Sequence, residues 1–137
     1  MNYLADSSAW HHSKNPIASS RWNALSSQDG LWICDQVALE ILYSARSAAD
    51  YDRTSRNLEG FRRAPITQEI FERARSNQLA LAHTGGLHHR SVTIADLVIA
   101  ATAESLGLTV LHYDEDYDRI SAVTGQVTEW IAPRGSL

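Results

Sequence analysis

The sequence contains a single cysteine, Cys34. No intramolecular disulfide can form, and one thiol cannot build a cysteine-rich zinc site. Cys34 closes the apolar run Leu31-Trp32-Ile33-Cys34, which reads as a buried strand, and a thiol there is expected to act as a small core hydrophobe. No apolar stretch approaches the roughly 20 residues needed to cross a membrane. The opening Met1-Asn2-Tyr3-Leu4-Ala5-Asp6 lacks the basic and apolar regions of a secretory leader. It reads as the first strand of a cytoplasmic protein with no membrane attachment. Neither Gly-x-Gly-x-x-Gly nor Gly-x-x-x-x-Gly-Lys-Ser/Thr is present, which removes nucleotide binding through a glycine loop. His-Glu-x-x-His is absent too. His11-His12 and His88-His89 read as exposed loop residues, and His112 reads as a structural strand residue beside Tyr113.

An excess of positive charge is also missing. The net charge is −4, whereas nucleic-acid binders usually carry a basic surplus. The imbalance is local. Four acids crowd into Asp114-Glu115-Asp116-Tyr117-Asp118, and arginines gather between Arg46 and Arg75. Lys14 is the only lysine among 12 basic residues. Arginine suits bidentate contact with phosphate. An acidic pocket beside an arginine-rich surface remains compatible with RNA, provided metal ions neutralise the pocket.

What is present describes one folded unit. The 137 residues are 44% hydrophobic and 20% charged, ordinary for a globular domain with one core. There is no repeat or linker, so a single domain is expected over residues 1–132, with a loose tail over 133–137. A strand over residues 2–5 runs into a helix near Asp6 or Ser7. A second helical stretch covers 20–27, and a strand covers 31–34. Asp35 is placed as the N-cap of a helix to about Ser47. A polar, arginine-rich helix is expected over 50–61. A further helix starts at Thr67, with Ile70, Phe71, Ala74 and Leu81 on one face, and stops at Gly85-Gly86. The clearest helix runs from Ser91 to Gly107, with Ile94, Leu97, Val98 and Ala101 at helical spacing. A strand over 108–112, a short helix or turn over 114–123 and a strand over 126–131 complete the chain. Strands alternating with helices predict an α/β fold, with a mostly parallel sheet of about four to five strands covered on both faces.

Ligands bind such sheets at the carboxyl ends of the strands. Asp6 ends the first strand, Glu40 lies in the helix after the second, Asp96 opens the long helix, and Asp114 follows the next strand. Singly, three of these have a plain structural reading. Asp6 and Asp114 suit helix caps, and Thr93-Ile94-Ala95-Asp96 suits a capping box. Glu40, within Val37-Ala38-Leu39-Glu40-Ile41-Leu42, is harder to explain so, although Gln36, Tyr43, Ser44 and Ser47 offer it a semi-polar stripe. Together the acids would repel one another with no lysine to neutralise them. A hard divalent cation would remove that repulsion, and oxygen-only ligands favour Mg²⁺ or Mn²⁺.

Four stretches then carry a resemblance: Leu4-Ala5-Asp6-Ser7-Ser8-Ala9-Trp10, Val37-Ala38-Leu39-Glu40-Ile41-Leu42, Ile94 to Ala103, and Leu111-His112-Tyr113-Asp114-Glu115-Asp116-Tyr117-Asp118-Arg119-Ile120. In this order the chain resembles the PIN-domain ribonucleases, and within them the VapC toxins of bacterial toxin–antitoxin systems. The resemblance implies a PIN-like fold that hydrolyses RNA phosphodiesters with Mg²⁺ or Mn²⁺. It implies Asp6, Glu40, Asp96 and Asp114 as catalytic and metal-binding residues, with Asp116 as a further metal ligand. Asp114 and Asp116 compete for the fourth place. Ser8 matches a small hydroxyl residue near the metal and, with Arg90, is a candidate RNA contact. A homodimer and a VapB-like antitoxin are the implied partners. A surface built from the Trp22 and Tyr51 regions is a candidate antitoxin groove. Asp118 exceeds the expected acids, and the regions of His11-His12 and Arg46 to Arg63 match no motif. Two rivals stand beside this reading. One is a phosphatase with Asp6 as nucleophile, disfavoured because Ser8 stands where a second Asp is usual. The other is a PIN-like module that binds RNA or protein without catalysis.

Overall fold

The structure, a computed structural model, describes residues 2–137. Thirteen elements follow one another: β1 (Tyr3–Ala5), α1 (Ser7–His12), α2 (Pro16–Ser27), β2 (Leu31–Cys34), α3 (Asp35–Tyr43), α4 (Ala48–Leu58), β3 (Arg62–Ala64), α5 (Gln68–His83), α6 (His88–Ser91), α7 (Ile94–Leu106), β4 (Thr109–His112), α8 (Asp116–Thr124) and β5 (Thr128–Trp130). The strands form one sheet in the order β3-β2-β1-β4-β5. Every pairing is parallel, with Leu4 opposite Trp32 on one side and Val110 on the other. The apolar strands are the central ones. Leu4, Ile33, Val110 and Leu111 are fully buried, as expected for a sheet covered on both faces.

Right-handed crossovers send the helices before β3 to one face and those after it to the other. α1, α3 and α4 pack together, as do α5, α7 and α8, and α3 also touches α7. Between β1 and β4 the direction of strand addition reverses. That reversal opens the crevice in which doubly wound sheets bind ligands. Asp6 leaves β1 and Asp114 follows β4 within two residues, so the two acids enter this crevice from adjacent strands.

Several expectations need correction. β3 lies between the helices expected over 50–61 and from Thr67, at residues where the sequence pattern predicts no element. Arg62 and Arg63 are exposed on it, while Ala64 is buried. Charges on an edge strand discourage pairing with other chains, so a weak local pattern is physically reasonable there. Cys34 caps α3 and Asp35 is its first residue, and the helix ends at Tyr43 rather than near Ser47. Phe71 is 50% exposed while Ile70, Ala74 and Leu81 are buried, because one residue advances about 100° around a helix. Ile94, in the first turn of α7, is 73% exposed. His88-His89 belongs to α6 and His11-His12 to α1 rather than to loops. Residues 133–137 lie against the domain. Arg134 pairs with Glu115, the Ser136 N–H donates to the Pro133 carbonyl, and the Leu137 N–H donates to the Tyr113 hydroxyl at 2.9 Å. Among the described residues no helix is long and apolar enough to cross a membrane.

Candidate active site

Asp6 sits at the N-cap of α1, where its Oδ2 accepts the Ser8 N–H at 3.1 Å and the Ser8 hydroxyl. The capping role read from the sequence is therefore present. It uses one carboxylate oxygen. The other, Oδ1, accepts from the Tyr117 hydroxyl at 2.7 Å. Ser8 in turn accepts the Tyr113 N–H at 2.9 Å, so its hydroxyl joins the exits of β1 and β4 and both of its hydrogen bonds are internal.

Asp96 enters from α7. Thr93 caps that helix by accepting the Asp96 N–H at 3.1 Å. The Asp96 side chain makes no bond in return and points into the crevice. Its Oδ1 lies 3.2 Å from the Tyr117 hydroxyl, and its Oδ2 is buried with no hydrogen-bond partner. Asp114 and Asp116 close the group. Ligand oxygens of Asp96, Asp114 and Asp116 all lie within 4.8 Å of one another. Asp114 accepts the Asp116 N–H at 3.0 Å, and its own N–H donates to His112 Nδ1 at 3.1 Å. Both acids thus join Asp96, where the sequence set them in competition. Asp118 faces elsewhere and accepts from the Trp130 indole at 3.3 Å. The surplus acid of the sequence is thereby accounted for.

Glu40 borders the group through Asp6. The Ser7 hydroxyl reaches its Oε2 at 3.5 Å, and its Oε1 is buried without a partner. Burial, and then the charge of Asp6, push the Glu40 carboxyl upward. Asp116 is also raised, by burial and then by Asp114, with the Arg119 guanidinium opposing at 2.7 Å. The largest effect falls on Asp96. Burial, then Asp6, Asp114 and Asp116, push it up to about 8. Tyr117 itself is raised well above its ordinary range by burial and by the two acids, and so remains a donor. Burial lowers His112. A neutral imidazole with Nδ1 accepting carries its proton on Nε2.

These observations test whether a cation fits. Carboxylates from α7, the β4–α8 connection and α8 converge, one of them has a buried oxygen lacking any partner, and burial with like-charge repulsion raises that same carboxyl. An all-oxygen donor set of this kind suits a hard divalent ion. Three contributors were not read from the sequence. Tyr117 resembles an ordinary core aromatic that happens to stand between two acids, Asp116 and Asp118. His112 serves Asp114 through its ring nitrogen, which only the fold reveals. Arg119 supports Asp116 at helical i,i+3 spacing, a pattern visible in the sequence once α8 is assigned. Arg90 lies on α6, just before the helix that carries Asp96, and takes part in no ion pair among the described residues.

A five-stranded parallel sheet with carboxylates gathered at its reversal point defines an α/β protein of PIN architecture. The PIN domain family matches residues 3–123, and the chain belongs to that family and, within it, to the group of VapC ribonucleases. It is 58% identical over 137 residues to Ribonuclease VapC18 of Mycobacterium tuberculosis, covering 100% of both chains. It is 38% identical to Ribonuclease VapC21 of the same species, covering 98% of this chain and 96% of the relative. Two solved structures share the fold at lower identity. VapBC2 from Rickettsia felis, bound to a DNA fragment from its promoter, gives a TM-score of 0.75 at 15% identity, covering 95% and 98% of the two chains. DNA-bound VapBC from Salmonella typhimurium gives 0.74 at 18%, covering 96% and 99%.

Proposed function

We propose that this chain is a Mg²⁺- or Mn²⁺-dependent endoribonuclease, the cytoplasmic toxin of a type II toxin–antitoxin pair. The observation that carries the reading is the convergence of Asp96, Asp114 and Asp116 around a buried, unpartnered carboxylate oxygen. Asp96, Asp114 and Asp116 would hold the cation, with Asp6 adjoining through Tyr117. When bound, the cation supplies Lewis acidity for hydrolysis of a phosphodiester. Glu40 would orient the attacking water. Its raised carboxyl and free Oε1 suit it to accept the water's proton, since a general base works best with a pKa near the working pH. Arg119 keeps Asp116 in place. Arg90, and Arg46 and Arg56 on the surface, would contact phosphate, while Arg53, Arg62 and Arg63 already pair with Asp50, Asp29 and Asp35.

The names of the VapC ribonucleases support RNA as the substrate. The VapBC structures support a VapB-like antitoxin as partner. A homodimer accords with the exposed apolar residues Leu39 and Tyr43, one turn apart on α3. The test is RNA cleavage with Mg²⁺ or Mn²⁺ by the wild type and by Asp96→Asn. Metal-dependent cleavage that falls by at least about 100-fold in the variant is expected for loss of a group acting on the transition state. Equal activity in the two would overturn the reading.

A further inference from the structure

The Tyr117 ring is held without help from its hydroxyl. It is fully buried on α8, and its centroid lies 4.9 Å from that of His112. A phenylalanine would fill the same space, so packing alone does not call for an oxygen. Yet that oxygen sits where a buried polar group is costly unless it is satisfied. Its two acceptors are Asp6 Oδ1 and Asp96 Oδ1. The residue thus joins three elements, since Asp6 follows β1, Asp96 lies on α7 and Tyr117 lies on α8.

The consequences for the two acids differ. Asp6 already gives Oδ2 to Ser8, so the phenol engages its second oxygen and removes its freedom to rotate. Asp96 gives only Oδ1 to the phenol and keeps Oδ2 without a protein partner. One hydroxyl therefore fixes the first carboxylate and aims the second. It does so without adding charge. A lysine or arginine in the same place would also tie the acids together, but it would neutralise the group and compete with a divalent ion. A phenol supplies a donor and brings no positive charge to compete with the cation.

We propose that Tyr117 is a positioning residue of the metal site, whose hydroxyl is a shared donor that sets Asp6 and Asp96 in the arrangement that receives the cation. The inference rests on the metal-dependent reading given above. Tyr117 acts through the two carboxylates and touches neither RNA nor the reacting atoms. Partners that orient metal ligands in this way typically contribute 10- to 100-fold in metal affinity or activity.

The test is calorimetric titration of the RNA-free protein with Mn²⁺, for the wild type, Tyr117→Phe and Tyr113→Phe. Tyr113 is a neighbouring tyrosine whose hydroxyl serves Leu137 instead of the acids. Binding at least about tenfold weaker in Tyr117→Phe, with Tyr113→Phe matching the wild type, is the expected result. Equal affinity in Tyr117→Phe and the wild type would overturn the proposal. So would equal weakening in both variants, which would mark a general loss of packing. Should Tyr117→Phe fail to fold, proton NMR of the wild type in chelator supplies the second measurement. A slowly exchanging Tyr117 hydroxyl resonance that moves on addition of Mg²⁺ is expected, and a resonance indifferent to Mg²⁺ would overturn the assignment. A wild type that shows no saturable Mn²⁺ binding would sink the metal reading itself. That result is separable from failure of the positioning role, in which the wild type binds and Tyr117→Phe binds equally well.

Discussion

Asp96 is a carboxyl that burial and three like-charged neighbours raise from 3.8 to about 8. Between those values the folded chain holds a proton that the unfolded chain has released. Stability must then fall as pH rises through that interval, and level off above it. The raised carboxyls of Glu40 and Asp116 act in the same direction. In chelator the melting temperature is therefore expected to decline from about pH 5 to about pH 8. A cation bound at the proposed site would replace the proton on the cluster, so stabilisation by Mg²⁺ should be larger at the upper end of this range than at the lower. Melting curves across pH, with chelator and with Mg²⁺, check both statements, and a melting temperature independent of pH would contradict them. The acids themselves were legible in the sequence, because carboxylates at strand ends in an α/β pattern have few other reasons to gather. What joins them was not. Tyr117, Ser8 and His112 each carry a role that depends on an atom more than 20 residues away or on which ring nitrogen faces a backbone amide.

Among the elements, α7 carries the greatest burden. From Asp96 to Ala103 every residue of it is buried, and its first turn delivers Asp96 to the crevice. Thr93 holds that turn through one side-chain bond to the Asp96 N–H. Thr93→Ala should cost about 1 kcal/mol of stability, the usual loss for an N-cap, read as a lower midpoint in urea. The long apolar period of α7 and the apolar runs of β2 and β4 made these elements readable, since hydrophobic periodicity is the main local signal. β3 was not readable. Arg62-Arg63-Ala64 carries no strand pattern of its own. Its extended form comes from pairing with Trp32, Ile33 and Cys34 of β2, and such pairing leaves no trace in the local sequence. Phe71 failed for the opposite reason. It is apolar and near the right period, but the stripe that meets α7 and α8 is narrower than the apolar content of α5.

At the scale of the whole molecule, the order β3-β2-β1-β4-β5 brings Asp6 and Asp114 together across most of the chain's length. The doubly wound topology followed from alternating elements, so the location of the site was legible before any side-chain contact was known. The outer surface was less so. Tyr43 is 92% exposed and Leu39 lies one turn away from it, and apolar groups left together in water mark association surfaces. If the proposed dimer uses this face, Tyr43→Asp should shift the chain from dimer to monomer in light scattering after size exclusion. An unchanged mass would place the dimer contact elsewhere.

The hydroxyl of Ser8 has a consequence of its own. It accepts from the backbone where β4 ends and donates to the carboxylate where β1 ends, so the width of the crevice is set by the fold. Asp6 is therefore held beside the end of β4 by the backbone itself. The repulsion among the acids is stored as a strain on the native state. An ion taken up at the proposed site would release that strain instead of spending its binding energy on gathering ligands. Affinity for the proposed ion and fragility without it would be, in this architecture, two expressions of the same stored work.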